Sequence, residues 1–81
     1  MDTPTFSLEV ARRVNAAIER GGHTVLGVAQ ATGIARSTLL RRLSGSSPLS
    51  VKELALIAQA IDVDVRTFIP RDEDDEWERA S

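Results

Sequence analysis

The side chains best suited to bind a ligand lie within one short segment, residues 36 to 44, RSTLLRRLS. Arg36, Ser37, Leu40 and Arg41 lie on one side of this segment when it is helical. A guanidinium group donates two parallel hydrogen bonds to O6 and N7 of guanine. Leu40 either covers a thymine methyl group or is part of a rotated core face. The spacing therefore predicts a helix that reads base edges in the major groove of DNA.

Two short helices joined by a tight turn must hold this face in place. Ala29 leaves room for a steep helix crossing, and Gly33 suits the left-handed backbone that such a turn needs. Ile34 follows as an apolar residue beneath the turn, while Val28 and Leu39 each supply a buried position on one helix. These residues predict a helix-turn-helix unit whose second helix enters the groove.

Residues that flank the predicted groove face are suited to contact phosphate, which positions a protein on DNA without reading its sequence. The amides near Thr24 also lie at a predicted helix N-terminus, whose dipole favours an anion. For each flanking residue taken alone, a plain solvent-exposed position is an equally good interpretation. The predicted phosphate contacts are Thr24, Gln30, Thr38, Arg42, Ser46, Ser47 and Lys52.

The segment resembles the Cro/repressor-type helix-turn-helix proteins, also called the xenobiotic-response-element or lambda-repressor-like family. The resemblance continues through SVKEL at 50 to 54 and IAQAIDVD at 57 to 64 to Phe68 and Ile69, and it covers about residues 7 to 70. It implies a compact all-α domain of five helices. Like small phage repressors, such a protein would bind operator DNA and regulate transcription without a cofactor.

Two positions depart from the pattern of that family. Arg42 stands where an apolar residue is usual, and Leu43 can take over the buried role after a small rotation of the helix. Asp62 stands where Gly is usual, and Asp adopts a left-handed backbone more readily than most residues. The first departure affects which residues face outward, whereas the second is expected to cost little.

The remaining helices are predicted from their caps. Ser7 is the predicted cap of a first helix that runs to about Arg20. Ser50 and Glu53 form a capping box at the start of the fourth helix, and Asp64 caps a short fifth helix. The capping signals thus agree with the all-α fold that the resemblance implies.

Charge divides the chain into two parts. Residues 1 to 70 hold eight basic and six acidic side chains, whereas residues 71 to 81 hold two basic and six acidic ones. The net charge of −2 therefore combines a basic domain with an acidic tail, and DNA binding is compatible with it. We expect a flexible arm at residues 1 to 6, the domain at 7 to 70 and an acidic, disordered tail at 71 to 81, in which Trp77 is either docked or exposed.

An apolar patch is expected where the fourth helix meets the end of the fifth, because Leu56 takes a position that the family usually keeps polar. Leu56, Phe68 and Ile69 would form the contact of a homodimer on a two-half-site operator. Such a dimer would place its recognition helices about 34 Å apart, one turn of DNA. The other interpretation is that Leu56 packs within its own domain.

Composition argues against several other classes of protein. The chain has one His, no Cys and no Tyr, so we expect no enzyme, no metal site and no cofactor. No signal peptide or apolar run of about 18 residues is evident, which predicts a cytoplasmic protein of a bacterial or phage-infected cell with no membrane partner. The arginines of the first helix, Arg12, Arg13 and Arg20, are interpreted as solvated, with phosphate contact as the alternative.

Two other functions are compatible with the sequence. The acidic tail with Trp77 would suit a protein-interaction module, similar to an antitoxin, in which a protein partner binds the tail and DNA binding is secondary. The other is an accessory factor that shapes DNA for recombination. A tail that becomes ordered only with a partner would favour the interaction module over the transcriptional regulator.

Overall fold

The computed structural model describes residues 2 to 70, which form four α-helices and one 3₁₀ turn. Because no strand occurs among these residues, the predicted all-α fold is confirmed. No helix between residues 2 and 70 combines the length and the apolar character needed to cross a membrane. The elements are α1 (Thr3–Arg20), α2 (Val25–Thr32), α3 (Arg36–Leu43), α4 (Val51–Ala60) and the 3₁₀ turn (Val65–Phe68).

Helix α1 begins earlier than predicted, and the helix includes most of the segment expected to be an arm. Its cap is Asp2, whose carboxylate accepts a hydrogen bond from the backbone N–H of Thr5 at 2.9 Å. Pro4 lies in the first turn, where its missing N–H is not needed and its fixed φ suits a helix. The prediction that Ser7 caps α1 was therefore wrong.

The segment predicted as a fifth helix forms a single 3₁₀ turn. Asp64 caps it as predicted, because its carboxylate accepts from the backbone N–H of Arg66 at 2.8 Å. Proline disfavours helical backbone at the residue before it, and Ile69, which precedes Pro70, is extended with φ −97° and ψ 122°. The prediction of five α-helices was wrong in this last element, since only one turn fits before Pro70.

The core joins every element of the domain. Val14 of α1, Leu39 of α3 and Ile57 of α4 are fully enclosed, together with Phe68 of the 3₁₀ turn. After α4 the chain reverses at Asp62, whose φ of 57° is the left-handed conformation expected at this position. This reversal lets the 3₁₀ turn pack against both α1 and α4.

Candidate nucleic-acid interface

The turn between α2 and α3 fixes the direction in which α3 leaves the core. Gly33 has φ 78°, and its N–H donates to the carbonyl of Ala29 at 2.9 Å. The Thr32 hydroxyl donates to the carbonyl of Val28 at 2.8 Å and accepts from the N–H of Ile34 at 3.2 Å. The predictions for Gly33, Ala29 and Val28 are confirmed, whereas the contribution of Thr32 was missed.

Helix α3 has a buried side and an exposed side. Leu39 and Leu43 are buried, which confirms that Leu43 takes the role left open by Arg42. Leu40 is 43% exposed, so it does not belong to a rotated core face. The residues predicted to read bases are all exposed, and these are Arg36, Ser37, Leu40 and Arg41.

Arg42 connects α3 to the segment that follows it. Its Nε donates to both carboxylate oxygens of Glu53, at 3.1 and 3.3 Å, and its Nη1 donates to Oγ of Ser47 at 2.7 Å. The Arg42 and Glu53 side chains are only 24% and 16% exposed. A phosphate contact by Arg42 or Ser47 would therefore have to share or replace these bonds. The sequence predicts Glu53 only as part of the capping box, and this pair with Arg42 is not predicted from it.

Glu53 also completes the predicted capping box. Its carboxylate accepts from the backbone N–H of Ser50 at 2.8 Å, and its own N–H donates to Oγ of Ser50 at 3.0 Å. Partial burial alone would raise the pKa of the Glu53 carboxyl, but the Ser50 amide and the Arg42 guanidinium together hold this pKa below its ordinary value. The carboxylate is thus kept ionised where α3 and α4 are joined.

Glu53→Gln is expected to lower the free energy of unfolding by about 1 kcal/mol near pH 7, because Gln keeps the capping geometry but loses the charge that pairs with Arg42. A carboxyl whose folded pKa is depressed stabilises the fold fully above its unfolded pKa of about 4.3, and this contribution is lost as pH falls through the lower folded value. The difference between parent and variant should therefore shrink at about pH 3. Urea unfolding near pH 7 and at about pH 3 measures the difference in free energy of unfolding between parent and variant. Glu19→Gln, at an exposed position of α1, is the control. A difference that does not change with pH would contradict this assignment.

The other predicted phosphate contacts lie on three helices and one loop. Thr24 caps α2, because its Oγ accepts from the N–H of Gly27 at 3.0 Å. Thr38 is half-buried on α3, whereas Gln30 and Lys52 are exposed on α2 and α4. In the loop before α4, Ser46 is exposed and its Oγ lies 2.9 Å from Oγ of Ser44. A contact of any of them with phosphate is still a prediction.

The predicted dimer patch is smaller than the sequence indicated. Phe68 has 0% exposure because the 3₁₀ turn packs it into the core, so its assignment to a surface contact was wrong. Leu56 and Ile69 are half-buried. The surface between α4 and the 3₁₀ turn therefore exposes less apolar area than the predicted dimer contact, in which Leu56, Phe68 and Ile69 would all be exposed.

The arginines of α1 lie on a surface formed without α2 or α3. Arg12 and Arg13 both donate to Glu9, and the hydrogen bond from Arg12 is the main reason that the pKa of Glu9 is lowered to about 2. Arg12, Arg13 and Arg20 line a groove of about 300 Å³ together with Thr67 of the 3₁₀ turn. Two of the three arginines thus already have a carboxylate partner within α1.

A family model described as helix-turn-helix matches residues 14–68, about two thirds of the chain. The match runs from the second half of α1 to the 3₁₀ turn and includes the turn at Gly33 and the exposed side of α3. Comparison of the chain with curated proteins and with solved structures gives no match. With its left-handed turn and its core-anchored third helix inside the matched region, the chain belongs to the Cro/C1-type helix-turn-helix family of DNA-binding transcription regulators.

Proposed function

We propose that the protein is a sequence-specific repressor that occludes a promoter by binding an operator in double-stranded DNA through α3. The observation that carries this proposal is the exposed side of α3, where two arginines, a serine and a leucine are accessible together. Leu39 and Leu43 anchor the opposite side in the core, so the helix presents these groups from a fixed position. A rigid helix with donors on its exposed side is suited to the major groove.

Base contacts and phosphate contacts have separate roles in this mechanism. Arg36 and Arg41 would each donate to O6 and N7 of a guanine, Ser37 would bond to a base edge, and Leu40 would cover a thymine methyl group. Residues on either side of α3 would hold the register by donating to phosphate oxygens. These residues are Thr24 at the cap of α2, Gln30 on α2, Thr38 on α3, Ser46 and Ser47 in the loop, and Lys52 on α4. Arg42 would position the loop through its bond to Ser47.

A footprint on genomic DNA of the source organism tests the proposal. We expect protection of a short site that contains guanines and is bound about 10³-fold or more tighter than random DNA at physiological salt. The protected length also tests the dimer, since two half-sites would lie about one helical turn apart. Equal affinity for the protected site and for random DNA would contradict sequence-specific repression.

The interaction-module and DNA-architectural alternatives have weaker support. The first depends on the acidic segment 71 to 81 and on Trp77, which lie outside the described residues. The second would require DNA binding without strong sequence preference, and the same footprint would reveal it as broad, unlocalised protection. The exposed arginines of α3 favour the repressor, because guanidinium groups are the side chains that most often read guanine.

A further inference from the structure

An apolar groove of about 260 Å³ lies where the beginnings of α1 and α4 meet the end of the 3₁₀ turn. Phe6 forms part of it and is 39% exposed, and Val51 is 83% exposed. Leu49 and Ile69 are half-buried beside them, and Val10 and Leu54 form the floor. The domain thus leaves an aromatic ring and several aliphatic side chains in contact with water.

We propose that the indole of Trp77 occupies this groove. The described chain ends at Pro70, directly after Ile69, and the Ile69 side chain lines the groove. Trp77 lies eight positions after Ile69 in the sequence, and a chain of eight residue steps spans up to about 26 Å. The segment that begins beside the groove is therefore long enough to turn back into it.

The chemistry of the groove and of the segment agrees. Trp77 is the one large apolar side chain among residues 71 to 81, so it is the group of this segment that gains most from leaving water. Buried indole N–H groups need an acceptor, and the groove contains one hydroxyl-bearing residue, Ser7, among its otherwise apolar lining. Phe6 adds an aromatic face against which the indole can pack.

Docking of Trp77 would bring the acidic residues next to it close to the proposed DNA surface. Val51 lines the groove and precedes Lys52, while Pro48 lines it and follows Ser46 and Ser47. Carboxylates held at this position compete with DNA phosphate for the same donors. This regulatory consequence rests on the proposed function, whereas the docking itself does not.

Tryptophan fluorescence of the full chain tests the docking without DNA. Trp77 is the only Trp and the chain has no Tyr, so the emission reports this one side chain. We expect emission at shorter wavelength than in the urea-unfolded chain, with several-fold weaker quenching by acrylamide. Val51→Glu should return both readouts toward the unfolded values, because it places a charge in the groove at a position that is already exposed.

The matched control is Leu26→Glu, which adds the same charge at an exposed apolar position of α2 outside the groove. It should leave the emission unchanged, and circular dichroism should show both variants folded. Emission of the parent chain that already equals the unfolded value would overturn the docking. A shifted emission that disappears on dilution would place the indole on a second copy and would overturn docking within the chain.

Binding to random DNA separates the docking from its consequence. Trp77→Ala, and a variant with Asn and Gln in place of the acidic residues of 72 to 78, should both bind random DNA several-fold tighter at low salt. The gain should fade toward 1 M salt, where the Debye length is about 3 Å. Unchanged binding with a shifted parent emission would overturn the competition alone. Absence of DNA binding by every variant would overturn the proposed function, and the fluorescence would still decide the docking.

Discussion

Replacing both Arg36 and Arg41 by Ala is expected to weaken binding to the footprinted site by about 2–6 kcal/mol, which is about thirtyfold or more. Each bidentate contact to guanine contributes about 1–3 kcal/mol of discrimination, and two contacts to different base pairs add when they do not share a partner. Binding to random DNA should weaken far less. A competition titration with the intact site, with sites mutated at each guanine and with random duplex measures the difference.

The matched control removes two positive charges from a different surface. Arg12 and Arg20 lie on α1 in a groove to which α2 and α3 contribute no residue, so alanine at both should leave sequence preference unchanged. Any loss in this control measures the general effect of charge. Equal losses on the intact site and on random DNA in the α3 variant would show that Arg36 and Arg41 contact phosphate and do not read bases.

Phe68→Ala is expected to lower the free energy of unfolding by about 3–5 kcal/mol. Phe68 is fully enclosed and joins the 3₁₀ turn to the core, so its removal leaves a cavity that the surrounding helices cannot fill. A domain of this size is stable by only about 5 kcal/mol or somewhat more. Thermal unfolding followed by circular dichroism should therefore show Tm lower by roughly 15 °C or more.

Val65→Ala is the control for that substitution, because Val65 lies in the same 3₁₀ turn but is partly exposed. Its cost should stay below about 1 kcal/mol. If the Tm of Phe68→Ala is as high as the Tm of Val65→Ala, the 3₁₀ turn does not contribute to the core. DNA binding of Phe68→Ala, measured well below its Tm, should remain close to that of the parent, because Phe68 lies outside the proposed interface.

The helix-turn-helix unit could be predicted from sequence because its constraints are local. Gly33 must supply a left-handed turn, Ala29 must be small, and both lie within a few residues of the structure they determine. The capping box of Ser50 and Glu53 is local for the same reason, and the structure contains both of its hydrogen bonds. Because Leu39 could be predicted as the buried residue of the short α3, the residues on the opposite side of that helix could be predicted as exposed.

The sequence predictions were wrong or incomplete where the position of a residue in the fold, and not its neighbours in sequence, determines its contacts. The arm predicted for residues 1 to 6 includes Pro4, which lies in the first turn of α1, where proline is favourable. Phe68 was placed on a surface because sequence cannot show that the 3₁₀ turn folds back onto α1 and α4. The pairing of Arg42 with Glu53 depends on where α3 and α4 lie relative to each other in the fold, so no spacing rule for a single helix predicts it.

The bond between Arg42 and Glu53 also limits how far α3 can be exchanged with the corresponding helix of a relative. Glu53 accepts from Arg42 and from the Ser50 amide, so one carboxylate serves the end of α3 and the start of α4. A transplanted helix with an apolar residue at position 42 would leave this carboxylate half-buried without its cation. Retargeting the protein to a new DNA sequence therefore requires that Arg42 be kept or that positions 42 and 53 be changed as a pair.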